Sequence, residues 1–64
     1  MTSAELRAAQ EKLGLSQTQL ARVLRIDPRS YRRLVTGERA ISGPVQRVVE
    51  ALLAGWRPDD WPRP

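Results

Sequence analysis

The sequence contains no cysteine and no histidine among its 64 residues. Without cysteine, neither disulfide bonds nor thiolate metal sites can reinforce the fold. Without histidine, the commonest general base and metal ligand is missing. We therefore expect no catalytic site, no metal site and no cofactor, and an ordinary hydrolase or metalloenzyme is not expected.

Long apolar runs are also missing. The longest purely apolar runs span a few residues, far short of the ~20 that cross a bilayer. Residues 1–8, MTSAELRA, lack the basic start and apolar middle of a signal peptide. A cytoplasmic protein with no membrane contact is the expectation. A chain of this length forms one domain, and a single core of that size contributes only about 3–5 kcal/mol.

Helical patterns account for most of the chain, and no strand pattern is present. Thr2 and Glu5 have the spacing of a capping box, and apolar residues then recur at helical spacing. This predicts a helix over 3–13 that ends before a glycine. A last helix is predicted between Ser42 and residues 54–55. The predicted core residues are Leu6, Ala9, Leu13, Leu20, Ala21, Leu24, Tyr31, Leu34, Val35, Val45, Val48, Val49 and Leu52.

The stretch 15–37 predicts two short helices joined by a three-residue turn. Ser16 has a glutamine three residues on, which is again a capping-box spacing. Asp27 ends the turn as a strong N-cap, and Pro28 follows at the first helical position, where its missing N–H costs nothing. The third helix is predicted over 28–36. The fold class is therefore all-α, with a helix-turn-helix at about 16–36.

The charge is concentrated in one part of the chain. The net charge is +4. Residues 22–39 contain six arginines against Asp27 and Glu38, which gives 6 − 2 = +4, the entire net charge. The planar fork of arginine suits phosphate and the edge of guanine. Two interpretations follow from charge alone: a polyanionic partner, or a solvated basic face.

The third helix has the features that reading a base pair requires. The major groove admits one α-helix, whose N-terminal residues reach base edges. Arg29 and Arg33 stand at i and i+4, so they project from one face about 6 Å apart. Arg32 is turned by about 100° from Arg33, so it meets phosphate or pairs with Glu38. Arg39, in the following loop, is placed to hold the other flank.

The pattern GLSQTQLARVLRIDPRSYRRLVTGERAIS, followed by VQRVV, resembles the helix-turn-helix domain of the phage repressor and Cro family, often called Xre-type. The resemblance covers about residues 6–53. It implies a compact four- to five-helix repressor-like domain that binds short palindromes in duplex DNA as a homodimer and represses transcription, often of its own operon. It also associates the chain with phage or mobile elements. The resulting hypothesis assigns base contacts to Pro28, Arg29 and Arg33, and phosphate contacts to Gln17, Ser30, Arg32 and Arg39.

Two residues depart from the family pattern. Arg25 stands at a turn position usually held by glycine, and a left-handed conformation there would cost on the order of 1 kcal/mol. We expect Arg25 to compensate for this strain through a phosphate contact or as surface charge. Tyr31 replaces the usual Ile or Val in the core. Its hydroxyl needs a hydrogen-bond partner, for which a phosphate oxygen is one candidate.

The C-terminal segment is the least defined part of the chain. We divide the sequence into a DNA-binding domain at 1–55 and a Trp/Pro-rich tail at 56–64, in which residues 58–61 can hold at most one helical turn. Trp56 and Trp61 either fold back over the core or form a dimer contact. The leading hypothesis is a sequence-specific transcriptional regulator. The alternatives are an antitoxin or phage accessory protein that acts through protein contacts of this tail, and a non-specific nucleic-acid binder.

Overall fold

The structure is a computed structural model that describes residues 1–62. It contains four helices, α1 (Ser3–Leu13), α2 (Gln17–Val23), α3 (Pro28–Val35) and α4 (Gly43–Leu53), and no strand within those residues. The predicted all-α class is confirmed, with α2 and α3 as the helix-turn-helix. The division into 1–55 and 56–64 stays a prediction, and residues 63 and 64 lie outside the described part.

Every helix begins at a residue whose side chain accepts a backbone N–H. Thr2 accepts from Glu5 N at 3.1 Å, and Ser16 accepts from Gln19 N at 3.1 Å, each in a complete capping box. Asp27 caps α3 at 3.4 Å, with proline in the first turn. Ser42 caps α4 in the same way, also at 3.4 Å. Each such cap is worth about 1 kcal/mol, which explains why helix starts are readable from short sequence patterns.

The C-terminal ends of α1 and α2 share one backbone geometry. Gly14 has φ 70°, and Arg25 has φ 60°. The N–H of Arg25 donates to the Arg22 carbonyl at 3.1 Å, and the next N–H donates to the Ala21 carbonyl at 3.0 Å. This paired pattern is the Schellman motif, which places its C′ residue in the left-handed region. Arg25 is therefore left-handed. The predicted end of α3 at residue 36 was one residue too long, because Thr36 is the C-cap.

The core lies between α1, α3 and α4, with α2 closing one side. Val23, which was not predicted, is buried because it lies one turn from Leu20 on the same side of α2. Four predicted core residues (Leu13, Leu24, Val45 and Val48) are only half-buried, at the edge of the core. The buried residues are Leu6, Ala9, Leu20, Ala21, Val23, Tyr31, Leu34, Val35, Val49 and Leu52.

Tyr31 fixes the position of α3 against α1. Its side chain is fully buried, and its hydroxyl donates to Gln10 Oε1 at 2.8 Å. The suggested phosphate outlet for this hydroxyl is therefore wrong, because a side chain of α1 already accepts the bond. Burial also raises the pKa of Tyr31 to about 12, since the charged phenolate is poorly solvated inside the core.

The tail folds back on the domain through Trp61 but leaves Trp56 exposed. Trp61 is half-buried against the core, and the Arg57 guanidinium lies over its ring, 4.4 Å from the centroid. Arg57 Nη1 also donates to the carbonyl oxygens of Leu52 and Trp56, each at 2.8 Å. Trp56 remains 52% exposed. None of the helices within residues 1–62 has the length and apolar character needed to span a bilayer.

Candidate nucleic-acid interface

The outer face of α3 presents two arginines directly opposite the core. Successive residues of an α-helix are turned by about 100°, so Arg29 and Arg33 lie on the side away from buried Tyr31, Leu34 and Val35. Both arginines are exposed. Asp27 and Pro28 set the start of the helix, so that Arg29 stands in its first turn. This face is therefore long, cationic and accessible.

A groove of about 190 Å³ runs along one flank of this face, between α3 and the start of α2. It brings the predicted base contacts Pro28 and Arg29 beside the predicted phosphate contacts Gln17 and Arg32. Thr18 completes its wall and was missed by the sequence interpretation. No local signal in the sequence marks Thr18, because its place in the groove depends on how α2 packs beside α3.

A second groove, of about 340 Å³, lies along the opposite flank of α3. It brings Ser30 together with Arg39 and with Ser42, which was also not predicted. The Ser42 hydroxyl accepts the Val45 N–H and so keeps its own hydrogen free to donate. The predicted phosphate contacts thus divide between two flanks, with one pair on each side of Arg29 and Arg33.

The arginine of the turn before α3 is ion-paired, whereas the arginines of α3 are not, among residues 1–62. Arg25 pairs with Asp60 across 3.3 Å while its side chain stays 81% exposed. Its phosphate contact or role as surface charge stays a prediction. The pair with Asp60 is the only salt bridge among residues 1–62, and the alternative pairing of Arg32 with Glu38 does not form there. The four arginines around α3 therefore keep their charge available for an anion: Arg29, Arg32, Arg33 and Arg39.

The tryptophans proposed as dimer contacts do not line either groove beside α3. Trp56 lines a separate shallow depression of about 420 Å³ with Arg25 and residues 57–60. Trp61 lies beneath Arg57, at the edge of the core. The cationic face and the tail thus form two distinct surfaces.

Comparison with known proteins agrees with this geometry. A family model described as a helix-turn-helix domain matches residues 3–60, which is nearly all of the described chain. No curated protein and no solved structure matches the sequence. Helix-turn-helix domains place their second helix in the major groove of DNA, so the match indicates a DNA-binding regulator.

Proposed function

The chain belongs to the helix-turn-helix domain family, and on that premise we propose that it is a sequence-specific transcriptional repressor. In this proposal it resembles Xre-type regulators and acts as a homodimer on a short palindromic operator, including that of its own operon. The observation that carries the proposal is the outer face of α3. Arg29 and Arg33 stand at its centre, and polar side chains line a groove on either flank.

Arg29 and Arg33 would read sequence from this face. A guanidinium donates two parallel hydrogen bonds to the O6 and N7 acceptors of guanine, which no other base pair offers in the same pattern. Pro28 would contact a base edge at the start of the helix. Each good bidentate pair is worth about 1–3 kcal/mol of discrimination.

The flanking residues would hold the helix in register. Gln17 and Arg32 would contact the phosphates on one side of the DNA groove, and Ser30 and Arg39 those on the other. What supports this is that the two pairs line opposite flanks of α3. Contacts to phosphate position the domain without reading sequence. Because they release condensed counterions, affinity should fall steeply as salt rises.

The two-fold arrangement follows from how such domains read DNA. Half-sites about one helical turn apart, roughly 34 Å, match two recognition helices related by a dyad. The proposal contains no catalytic step, because the chain has neither cysteine nor histidine. The proposal also places the protein in the cytoplasm, since its proposed target is duplex DNA.

The test is selection from a random duplex library at physiological salt, followed by titration of the winner against a scrambled duplex. A palindrome with paired G-containing half-sites, bound at least 10³-fold more tightly than the scramble, is expected. Recovery of a single half-site would support recognition and contradict the dimer. No enrichment would contradict the proposal and leave non-specific nucleic-acid binding.

The second candidate function is a protein-interaction role, as an antitoxin or phage accessory protein. The exposed Trp56 favours it, because exposed tryptophans are frequent anchors of protein interfaces. Co-purification of one partner with the wild-type chain, and its loss on Trp56→Ala, would support this role. That result would not test DNA recognition by α3, which the selection experiment addresses separately.

A further inference from the structure

The larger of the two grooves beside α3 has the size and the lining of a small-molecule site. It measures about 340 Å³ and lies between the start of α3, the loop that follows α3 and the start of α4. Ligand pockets in proteins begin at about 300 Å³ and combine an apolar wall with a few polar groups. We refer to this groove as the Arg39 groove. Its apolar wall is aliphatic and consists of Ile26, Leu34, Ala40 and Val45.

The polar lining of the Arg39 groove carries one charge of each sign. Asp27 and Arg39 are both exposed, and neither forms an ion pair with any residue within 1–62. One carboxylate oxygen of Asp27 accepts the backbone N–H of Arg29 at 3.4 Å, which leaves the other oxygen able to accept from a ligand. Two opposite charges therefore border the same space without neutralising each other.

A hydroxyl group stands close to the positive end of the Arg39 groove. Ser42 follows Arg39 by three positions in the chain, and both residues line the groove. The Ser42 hydroxyl accepts the Val45 N–H at 3.4 Å, so its own hydrogen is free to donate. A guanidinium and a hydroxyl together suit a carboxylate, since hydrogen bonds to an ionised acceptor are the strong ones.

This lining decides which class of ligand fits. An inorganic anion would use Arg39 but would leave the aliphatic wall and Asp27 unused. A simple amine would be repelled by Arg39, and an uncharged hydrocarbon would desolvate both charges without pairing them. An aliphatic α-amino acid satisfies the whole lining, because it joins a carboxylate, an ammonium group and an apolar side chain in one small molecule.

We propose that the Arg39 groove binds an aliphatic α-amino acid, with its carboxylate on Arg39 and Ser42, its ammonium group on Asp27 and its side chain against Leu34 and Val45. The inference deepens the proposed function and rests on it for its consequence, because Arg39 would also contact a DNA phosphate. A carboxylate bound to this guanidinium competes with that phosphate. The amino acid therefore releases DNA, and DNA lowers the affinity for the amino acid by the same factor.

The groove is open to solvent, which limits the affinity. Asp27, Arg39, Ala40 and Ser42 are all exposed, so a bound ligand keeps part of its surface in water. A molecule of so few atoms gains little binding energy even when its groups are matched, and we expect a dissociation constant on the order of 1 mM. Binding is therefore best measured by a method that works at millimolar ligand.

The first test follows the backbone amide signals of the ¹⁵N-labelled chain by NMR as L-leucine is added. Saturable shifts should appear at Ala40 and Val45. Three analogues each lack one group of L-leucine and should bind at least tenfold more weakly: 4-methylpentanoate lacks the ammonium group, 3-methylbutylamine the carboxylate and glycine the apolar side chain. Equal binding of all four, or no saturable shift in the groove with L-leucine up to about 20 mM, would overturn the proposal.

The second test uses charge variants to locate the two ends of the ligand. Asp27→Asn keeps the cap of α3, because asparagine caps as well as aspartate. It should weaken L-leucine at least fivefold and should not weaken 4-methylpentanoate, whereas Arg39→Gln should weaken both. Arg7→Gln removes the same charge from the exposed side of α1 and is the matched control. Equal weakening by Arg7→Gln and Arg39→Gln would overturn the proposal, and circular dichroism confirms that each variant folds.

Failure of this proposal is separable from failure of the proposed function. With a selected single half-site duplex, L-leucine at ten times its dissociation constant should raise the dissociation constant of the duplex about tenfold. Glycine at the same concentration is the control and should leave it nearly unchanged. No effect of L-leucine on a duplex that is still preferred over its scramble would overturn this proposal alone. Binding of L-leucine by a chain that selects no duplex would support the site and contradict the proposed function.

Discussion

The two faces of α3 differ in apolar character, burial and charge. The inner face carries Tyr31, Leu34 and Val35, which are buried against the other helices. The outer face carries Arg29 and Arg33, which are exposed and unpaired among the described residues. One helix of eight residues thus supplies both core packing and the candidate base contacts.

The difference teaches that stability and binding can be changed separately in this helix. Inner residues contribute through buried area and packing, which do not depend on DNA. Outer residues contribute almost nothing to folding, because surface substitutions usually change stability by less than about 0.5 kcal/mol. A substitution on the outer face should therefore alter binding and leave stability unchanged, whereas one on the inner face should lower stability and affect binding only through the loss of folded protein.

The largest effect is expected for Tyr31→Ala. Removing a buried aromatic ring costs about 3–5 kcal/mol, which equals the whole stability expected of so small a core. The variant should be largely unfolded at 25 °C, as measured by circular dichroism and urea titration. Arg32→Ala, on the outer side of the same helix, is the matched control and should unfold at the wild-type midpoint. Cooperative unfolding of Tyr31→Ala near that midpoint would contradict the assignment of Tyr31 as the central core residue.

The pH dependence of stability tests the inner face in another way. The pKa of Tyr31 is about 12 in the folded chain and about 10 when unfolded, so the folded state keeps its proton longer. This contribution is complete below pH 10 and is lost as pH rises from 10 to 12, because only the unfolded chain then releases the proton. The expected loss is on the order of 2–3 kcal/mol.

Tyr31 is the only tyrosine, so its tyrosinate absorbance reports its pKa directly. Tyr31→Phe removes the bond to Gln10 and should cost about 0.5–1.5 kcal/mol at neutral pH. The same variant should show a smaller loss of stability between pH 10 and 12. An ordinary tyrosinate midpoint near pH 10 in the folded protein would contradict the burial of this hydroxyl.

On the outer face, Arg33→Ala should weaken binding to the selected operator by about 1–3 kcal/mol and relax the preference at one base pair. Gln17→Ala, at the flank, should weaken all duplexes alike, because a phosphate contact does not read sequence. Competition titrations with single-base variants of the operator measure both effects. An unchanged base preference in Arg33→Ala would refute its base-reading role, and thermal unfolding of both variants should match the wild type.

The smallest effects concern the Schellman ends of α1 and α2. Arg25→Gly relieves the strain of a left-handed backbone conformation at a residue with a side chain, and should stabilise the fold by up to about 1 kcal/mol. The small contribution of the exposed ion pair with Asp60 is subtracted from this gain. Gly14→Ala should destabilise by about 1 kcal/mol, since a Cβ there meets the same strain with no gain in contacts. Urea titrations compare them, and Asp60→Asn isolates the ion pair. Any net destabilisation by Arg25→Gly would show that the pair outweighs the strain, and destabilisation beyond that of Asp60→Asn would contradict the strain itself.

Much of the fold could be predicted because its signals are local. Capping residues such as Ser16 and Asp27 act on amides two or three residues away, so a short window of sequence contains the whole interaction. The outer face of α3 was predictable for the same reason, because helical periodicity alone separates Arg29 and Arg33 from Tyr31. These features needed no knowledge of how the helices pack.

The remaining features join residues that are distant in sequence. The Tyr31 hydroxyl reaches Gln10, 21 positions earlier, and no local pattern selects Gln10 over other acceptors. Thr18 and Ser42 enter the flanking grooves only because α2 and α4 are placed beside α3. Such neighbours depend on helix crossing geometry, which many side chains set together.

The sequence by itself determined where the four helices start, which side of α3 is apolar and where the positive charge is concentrated, because each of these is an interaction between near neighbours along the chain. Tertiary structure alone decided which surface the tail contacts and which tail residues stay exposed. It brings Asp60 onto Arg25, places Arg57 over Trp61 and leaves Trp56 exposed. The physical reason is that a short tail gains burial only from the surface it happens to meet, and that surface exists only once the helices have packed.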